Sequence, residues 1–384
     1  MIVGVAKETF PGERRVAIVP GVIPSLINAG LDVLVESQAG QAAGYPDQQY
    51  LDKGAKIVTT RQEVFQADIL LAVRTAGSSA EGGRADLPLV RPGQVMIGMA
   101  DPLGSPQAAA ELAAKGATLL ALELLPRITR AQSMDVLSSQ ATIAGYRAVL
   151  MAAMALSKIF PMMITAAGTL NAARVLVVGA GVAGLQAIAT ARRLGAMVSA
   201  YDVRPAVKEQ VQSLGAKFVE MPLDSTAAEG AGGYAQQMDE NFYRRQRDLM
   251  TRVVAESDVV ITTAAVPGKK APVLVTGEMV ARMAPGSVIV DLAAERGGNC
   301  ELTKAGQTVV HGGVTILGPT DLPAEVPQHA SQLYSKNITT YLLYLVKEGQ
   351  LALDAEDEIV RETLVARGGE VVHPRIKQLL APAS

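Results

Sequence analysis

Short apolar runs alternate with longer amphipathic segments along most of the chain, and the runs fall into two series. The first series lies before residue 137 and, beside a helix at 22–29, predicts strands at residues 2–6, 33–36, 69–73, 95–99 and 118–121. The second series predicts strands at residues 175–178, 197–201, 217–219, 259–262, 288–291 and 314–317. Strands that alternate with helices are typical of a parallel sheet covered by helices, so the pattern predicts an α/β fold with two doubly wound sheets.

Two longer helical patterns, at about residues 134–160 and 334–347, lie between the two series and after the second one. They indicate the two places where the chain crosses from one domain to the other. We therefore expect a discontinuous first Rossmann-like domain, residues 1–137 plus about 328–384, and a second Rossmann-like domain at residues 138–327. The cleft between two such domains is the expected ligand site.

A glycine-rich motif follows the strand at residues 175–178. The chain reads GAGVAG from Gly179 to Gly184, continues as a helix to residue 194, and enters a strand that ends before Asp202. Gly179 permits a tight turn, and Gly181 lets the backbone approach a pyrophosphate. Gly184 lets the helix pack closely on the strand, and the amides at the helix N-terminus face the phosphate charge.

Asp202 lies 21 positions beyond Gly181, close to the spacing of the acidic residue in dinucleotide-binding folds. Its carboxylate can hold both ribose hydroxyls of NAD and would repel a 2′-phosphate, so the motif predicts NAD(H) and not NADP(H). The alternative is that the glycines serve only the packing of helix and sheet. The predicted cofactor contacts in this region are Gly179, Gly181, Val182, Ala183, Gly184, Asp202, Val203 and Arg204.

Composition limits the other ligands. The 384 residues carry a net charge of −2 with both signs interspersed, which leaves no broad basic surface for nucleic acid. Cys300 is the only cysteine, which excludes an internal disulfide framework and fits a reducing cytoplasm. Because residues of metal-ligand type do not occur in pairs or triads at ligand spacing, we predict no metal site.

One apolar segment is similar to a membrane span. Between Arg147 and Arg174 the only charged residue is Lys158, but Lys158 and Pro161 divide the segment. Neither half reaches the roughly 20 apolar residues that a spanning helix needs, so we expect a buried helix between domains and no transmembrane segment.

Two loops carry candidate functional residues. The loop at residues 227–239 contains three glycines, Tyr234 and Met238, and it could either close over a ligand or be a surface excursion. The loop at residues 126–135 precedes the long helix. Ser133 is its expected N-cap, with Asp135 in the first turn. A surface ion pair of Arg127 with Asp135 is the structural alternative to a binding role.

Several segments together resemble domain I, the NAD(H)-binding component, of proton-translocating nicotinamide nucleotide transhydrogenase. The most specific is PRITRAQSMDVLSSQ at residues 126–140, and AGGY at 231–234 and ITTAAVPGKKAP at 261–272 support it. KETFPGERRV at residues 7–16 is weaker, since alanine dehydrogenases, which are relatives in fold, share it. PGSVIVD at residues 285–291 also matches, so the resemblance covers essentially the whole chain.

The resemblance implies that the loop at residues 126–140 positions the nicotinamide and its ribose. Arg127 can donate to the carboxamide oxygen, Asp135 can accept from its nitrogen, and Gln132 can bridge to a second nucleotide. The resemblance also implies that Ser138 and Tyr234 act as catalytic residues together with Arg127, Gln132 and Asp135. The other implied cofactor contacts are Ile128, Ser133, Ser138, Gly233, Tyr234, Thr263, Ala264 and Ala265.

The chain lacks the acid–base pair of alanine dehydrogenases, which is a histidine and a lysine. Where those enzymes carry the two residues, this sequence reads MIGMAD at residues 96–101 and LLAVR at residues 70–74. Arg15 is present, but we expect it to serve structure. Oxidation of an amine or alcohol needs a proton acceptor, whereas hydride transfer between two nicotinamides needs none.

We therefore expect an NAD(P)⁺ transhydrogenase component of the Re/Si-specific, proton-translocating type, active only with partner subunits. It would transfer hydride from NADH to NADP⁺ bound on a beta subunit, while a membrane subunit couples the exchange to proton translocation. The resemblance also implies a homodimer, held peripherally on the cytoplasmic face of the cell membrane by its partners. The alternatives are an alanine-dehydrogenase-like oxidoreductase and a non-catalytic NAD-sensing module.

Overall fold

The computed structural model describes residues 1–75, 83–220, 240–266 and 268–381. The chain divides into two units, Met1–Gln140 with Pro323–Ser384, and Ala141–Leu322. The first unit therefore combines both ends of the chain, while the second is continuous. Each unit is built on one extended β-sheet with helices, which confirms the predicted α/β fold class.

Strands form the two large sheets and two small hairpins. In chain order the described strands are β1 (Ile2–Val5), β2 (Asp32–Glu36), β3 (Lys56–Val58), β4 (Ile69–Arg74), β5 (Val95–Met99), β6 (Thr118–Ala121), β7 (Met163–Thr165), β8 (Gly168–Leu170), β9 (Arg174–Val178), β10 (Met197–Tyr201), β11 (Lys217–Phe218), β12 (Val259–Thr262), β13 (Val288–Asp291), β14 (Thr308–His311), β15 (Val314–Leu317), β16 (Val346–Lys347), β17 (Gln350–Leu351), β18 (Leu364–Arg367) and β19 (Glu370–Val371).

Helices connect most of the parallel strands. The described α-helices are α1 (Ile23–Asn28), α2 (Asp47–Leu51), α3 (Arg61–Val64), α4 (Pro106–Ala114), α5 (Val136–Ala155), α6 (Val182–Arg193), α7 (Lys208–Ser213), α8 (Glu240–Ala255), α9 (Gly277–Ala281), α10 (Pro327–Leu345), α11 (Glu358–Thr363) and α12 (Pro374–Leu380). None of the described helices combines the length and the apolar character that crossing a membrane requires.

The sheet of the first unit has the order β19-β18-β6-β5-β4-β1-β2-β3 in the described residues. Strands β1 to β6 pair in parallel, and the antiparallel β18 and β19 extend the β6 edge. Successive side chains of a strand point to opposite faces, so Ile69 and Leu71 of β4 join one buried cluster and Leu70 joins another. The sheet is thus buried on both faces, as a doubly wound sheet must be.

The sheet of the second unit has the order β11-β10-β9-β12-β13-β15-β14 in the described residues. From β9 the chain moves through β10 to β11 on one side, and later through β12 and β13 to β15 on the other. The carboxyl ends of β9 and β12 therefore flank the point where the strand order reverses. In open α/β sheets, ligands bind at this position.

The observed elements differ from the predicted ones mainly at the sheet edges. Strands β14, β18 and β19 are antiparallel, and the sequence pattern did not reveal them. β14 and β19 are short edge strands with mostly exposed residues, so they lack a continuous run of buried apolar positions. The long helix α5 begins at Val136 and ends at Ala155, before the predicted end near residue 160.

Candidate functional site

The glycine motif forms a turn at the carboxyl end of β9. Gly179 has a φ of 97°, which a residue with a side chain rarely adopts, and its N–H donates to the Tyr201 carbonyl oxygen at 2.8 Å. A Cβ on Gly179 would lie 2.6 Å from the Thr263 hydroxyl oxygen. Glycine is therefore required here both by the backbone conformation and by the neighbouring strand.

Gly181 and Gly184 differ in their surroundings. Gly181 is the N-cap residue of α6, and a Cβ built on it meets no atom of the described residues within 4 Å. A Cβ on Gly184 would lie 2.9 Å from the Gly179 carbonyl carbon and closer still to its oxygen. The space beside Gly181 thus leaves the first amides of α6 accessible to an anion, whereas Gly184 is needed for packing.

Gly145, which lies outside the glycine motif, permits a close contact at the same helix end. Gly145 lies on α5, and a Cβ there would lie 2.9 Å from the carbonyl carbon of Ala183. Helix α5 therefore packs directly on the first turn of α6. A helix-interior glycine has no local signature for such a contact, because the contact exists only after the two helices pack.

Asp202 follows β10, next to the glycine turn. Its carboxylate accepts hydrogen bonds from the Ala180 N–H at 2.7 Å and from the Arg204 N–H at 2.9 Å. The Arg204 guanidinium also donates to both carboxylate oxygens, at 3.0 and 2.9 Å. The Asp202 side chain is only 6% exposed, so this ion pair is largely shielded from water. The pair fixes the carboxylate beside the turn.

The segment after β12 completes this edge of the sheet. Thr263 donates from its hydroxyl to the Gly179 carbonyl oxygen at 3.0 Å, which joins the segment to the glycine turn. Ala264 is half-buried and Ala265 is exposed. The predicted contacts Gly179 to Gly184, Asp202 to Arg204 and residues 263–265 therefore meet at the carboxyl ends of β9, β10 and β12.

The loop that carries the other predicted contacts belongs to the first unit. Residues Thr129–Met134 form a 3₁₀ helix, and α5 begins immediately after Asp135. The expected N-cap at Ser133 is wrong. Asp135 instead accepts from the Ser138 N–H at 2.9 Å and from its hydroxyl at 2.6 Å, because it is the residue directly before the helix.

Contacts with α10 hold this loop. Asn337 is 8% exposed and donates from its side-chain amide to the Ser133 carbonyl oxygen at 2.8 Å. Ile128 packs against the buried cluster of the first unit, whereas the Arg127 and Gln132 side chains are exposed. The backbone is thus anchored while two of the predicted functional side chains face solvent.

Arg15 has a structural environment in the first unit. Its side chain is 1% exposed and pairs with Glu13 through two bonds, at 2.7 and 2.6 Å. A third bond runs from its guanidinium to the side-chain oxygen of Gln140 at 2.8 Å. These contacts fit a structural role for Arg15, as the sequence predicts.

Two carboxyl groups near the carboxyl ends of the first sheet have raised pKa values. Burial, followed by the nearby charge of Glu13, raises the pKa of Glu8 to about 8, although its carboxylate accepts from the Val73 N–H at 2.6 Å. Burial raises the pKa of Glu123 to about 7, and the charge of Asp101 acts in the same direction. Both acids belong to the first unit.

Two candidates lie outside the described residues: Gly233 and Tyr234, with the loop at residues 227–239. Within the second unit, His311 lies on edge strand β14, and β12, β13 and β15 separate it from β9. His329 and His373 belong to the first unit. Among the described residues, no group of three or more His, Cys, Asp or Glu side chains could hold a metal ion.

Comparison with known proteins gives consistent matches along the chain. Residues 4–144 match the N-terminal domain of alanine dehydrogenase/PNT, and residues 148–374 match its C-terminal domain. The first part of NAD(P) transhydrogenase subunit alpha from Rhodospirillum rubrum is 47% identical over 380 residues, which cover 98% of this chain and 99% of the relative.

Solved structures agree with these matches. The crystal structure of transhydrogenase from Sinorhizobium meliloti has a TM-score of 0.87 and 48% identity, covering 97% of this chain and 100% of that one. An L-alanine dehydrogenase has a TM-score of 0.82 and 26% identity, with 99% of both chains covered. The chain therefore belongs to the alanine dehydrogenase/PNT family and, within that family, to the alpha subunits of NAD(P) transhydrogenase.

Proposed function

We propose that this chain binds NAD(H) and exchanges hydride directly with NADP(H) held by a beta subunit, while a membrane subunit couples the exchange to proton translocation. The observation that carries the proposal is the edge formed by three neighbouring strand ends. It combines the glycine turn after β9, the open N-terminus of α6 and the Asp202 carboxylate after β10. These groups suit a pyrophosphate and a ribose diol.

The surroundings of Asp202 favour NAD(H) over NADP(H) at this edge. A 2′-phosphate would meet the carboxylate, and repulsion at such short range disfavours binding. The positive charge of Arg204 does not offset that repulsion, because its guanidinium is bonded to both carboxylate oxygens of Asp202. The pair therefore presents little net positive charge to a phosphate.

The loop residues suit the nicotinamide end of the cofactor. Arg127 and Gln132 are exposed polar side chains on a backbone that α10 anchors. Asp135 already accepts two bonds from Ser138, and a carboxylate has lone pairs for further donors. We assign Arg127 and Asp135 to the carboxamide and Gln132 to the approach of the second nucleotide. Ile128, Ser133, Gly233 and Tyr234 are proposed as further contacts.

The protein's own contribution to the reaction is binding and orientation. Bound NADH would supply the hydride, and its transfer to a second nicotinamide leaves no proton for the protein to remove. What this chain must supply is a fixed ring orientation and a short approach distance. This reaction class fits a second unit whose histidine lies on an edge strand away from the glycine turn.

Hydride exchange in a reconstituted complex tests the proposal. The chain alone should bind NADH but oxidise no small amino or keto acid. When the NADP(H)-binding component is added in a rapid-mixing experiment, exchange between the two nicotinamides should begin. NAD-dependent turnover of alanine by the chain alone would instead support the alanine-dehydrogenase-like alternative. NADH binding without exchange would support a sensing module.

Variants of the loop separate its catalytic role from its structural one. Asn is as good an N-cap as Asp, so Asp135→Asn should keep helix α5 while it removes the charge near the carboxamide. We expect slower exchange with an unchanged melting temperature, and the same for Gln132→Asn. Thr340→Ala, at a half-buried site of α10, is the control. Undiminished exchange in both loop variants would contradict the assigned roles.

We also propose a homodimer, held by its partners on the cytoplasmic face of the membrane. The hairpin β7–β8 supports the dimer, because an isolated two-stranded hairpin is marginally stable and Ile164 is 77% and Leu170 51% exposed. Two copies could pair these edges about a two-fold axis. Light scattering should show Ile164→Lys as a monomer, and Val310→Lys, an exposed apolar control on β14, as a dimer. If the Ile164→Lys variant remained a dimer, the hairpin β7–β8 would be excluded as the dimer contact.

A further inference from the structure

Asn299, which no sequence motif singled out, holds the backbone of the segment after β12. It is fully buried in the loop after β13, and its side-chain amide makes three hydrogen bonds. Nδ2 donates to the carbonyl oxygens of Ala264 at 2.8 Å and of Pro272 at 2.9 Å, while Oδ1 accepts from the Ala264 N–H at 3.0 Å. Both amide protons are thus used. One side chain therefore fixes the two polar backbone groups of Ala264.

The position of Asn299 is itself fixed from behind. Its carbonyl oxygen accepts from the N–H groups of Leu274 and Val275, at 2.8 and 3.0 Å. The next residue, Cys300, donates its N–H to the buried Asp291 carboxylate at 2.9 Å. That carboxylate also accepts from the Thr262 hydroxyl at 2.9 Å, which ties the end of β13 to the end of β12. Asn299 is consequently a rigid anchor.

The residue that Asn299 holds is adjacent to the glycine turn. Thr263, which precedes Ala264, donates to the Gly179 carbonyl oxygen at 3.0 Å. Asp202 directly follows β10, which pairs with β9 on the side opposite to β12. A dinucleotide with its adenosine ribose at Asp202 and its pyrophosphate at Gly181 extends its other nucleotide towards the end of β12. Residues 263–265 therefore face the nicotinamide half.

We propose that Asn299 is a positioning residue for the nicotinamide half of NAD(H), an inference that rests on the function proposed above. It acts through Ala264, because its hydrogen bonds hold the Ala264 backbone in the conformation that lines the cofactor. Its loss affects the nicotinamide nucleotide and spares the adenosine half, which Asp202 and the glycine turn hold. A residue that merely stabilised the second unit would affect both halves alike.

The test compares NADH with ADP, which carries only the adenosine half and the diphosphate. Asn299→Asp has nearly the same shape and keeps the acceptor for Ala264, but places an oxygen against two carbonyl oxygens. The Kd for NADH should rise about tenfold or more, because buried acceptors lose their donor. The Kd for ADP should stay within about twofold. In the reconstituted exchange, the KM for NADH should rise more than kcat falls, and bound NADH should show lower fluorescence anisotropy.

Controls separate this effect from a general loss of stability. Ser257→Ala removes a buried hydroxyl that bonds the Val253 carbonyl oxygen at 2.7 Å, just before β12 begins and thus at its other end. It should lower the melting temperature without changing either Kd. If the Asn299→Asp variant is unfolded and therefore does not bind ADP, the same comparison is made with Asn299→Ala, which adds no charge.

Two results would overturn the inference: equal weakening of NADH and ADP binding in a folded Asn299 variant, or unchanged binding of both ligands. Failure of the unaltered chain to bind NADH would instead refute the proposed function. A selective loss of NADH affinity, with ADP binding and the fold retained, is the result that supports Asn299 as a positioning residue.

Discussion

Alanine at Gly184 and alanine at Gly181 should have opposite effects, although the two glycines belong to one motif. A Cβ at Gly184 would lie 2.9 Å from the Gly179 carbonyl carbon, whereas well-packed carbon atoms lie about 3.5–4.0 Å apart. The turn or helix α6 must therefore move by at least roughly 0.6–1.1 Å, because the Gly179 carbonyl oxygen lies closer still. Overpacking of this kind costs about 1–3 kcal/mol in the free energy of unfolding, or more when backbone must shift.

Gly181 offers no such obstacle in the part of the chain that the structure describes. Its φ of −77° and ψ of −166° are open to alanine, and the new methyl group would meet no atom of those residues within 4 Å. Stability should be unchanged, or higher by about 0.4–1 kcal/mol because the unfolded chain loses freedom. The methyl would instead occupy the space through which a pyrophosphate approaches α6. NADH affinity should therefore fall by about fivefold or more, as a clash of about 1–3 kcal/mol implies.

Thermal unfolding followed by circular dichroism, together with titration of NADH fluorescence, measures both quantities. Gly184→Ala should melt at least about 2 °C below the unaltered chain, given a cost of about 1–3 kcal/mol and roughly 2–4 °C per kcal/mol for a unit of this size. Gly181→Ala should have the same melting temperature as the unaltered chain, but it should bind NADH weakly. The reasoning would be refuted if Gly181→Ala lost as much stability as Gly184→Ala, or if it bound NADH with full affinity.

Two further predictions concern charged groups. Asp202→Asn should raise the Kd for NADH by about tenfold to a hundredfold and reduce discrimination against NADPH, because Arg204 loses its carboxylate partner; unchanged selectivity in paired titrations would contradict this. Glu8 has a pKa of about 8 in the folded chain, above its usual 4.5, so folding favours its protonated form. The contribution of Glu8 to the free energy of unfolding is complete below about pH 4.5 and is lost as the pH rises through 8. The difference between these two limits is a few kcal/mol. Urea unfolding at about pH 5 and 9 should show this loss in the unaltered chain and less of it in Glu8→Gln, and equal losses would disprove the assignment.

Local patterns were sufficient for most of the buried parallel strands of both sheets. Strands β5, β6, β10, β12, β13 and β15 have the predicted bounds, since a buried strand of a doubly wound sheet is a continuous apolar run. Gly179 was predicted to form a tight turn because its steric requirement is a property of its own backbone. The sequence predicted the N-cap of α5 at Ser133, two residues before Asp135, which directly precedes the helix. Serine and aspartate are both good N-caps, so only the observed start of the helix decides between them.

The sequence by itself determined the α/β class, the family resemblance and the spacing that links the glycines to Asp202, because these depend on short-range periodicity and on the conformational range of single residues. Only the tertiary structure decided which strand ends are neighbours, that Arg204 closes on Asp202, and that Asn299 holds Ala264 from 35 positions away. A buried amide and a buried ion pair have no periodic signature. Their partners are chosen by the packing of distant segments, which must satisfy every polar group that the core excludes from water.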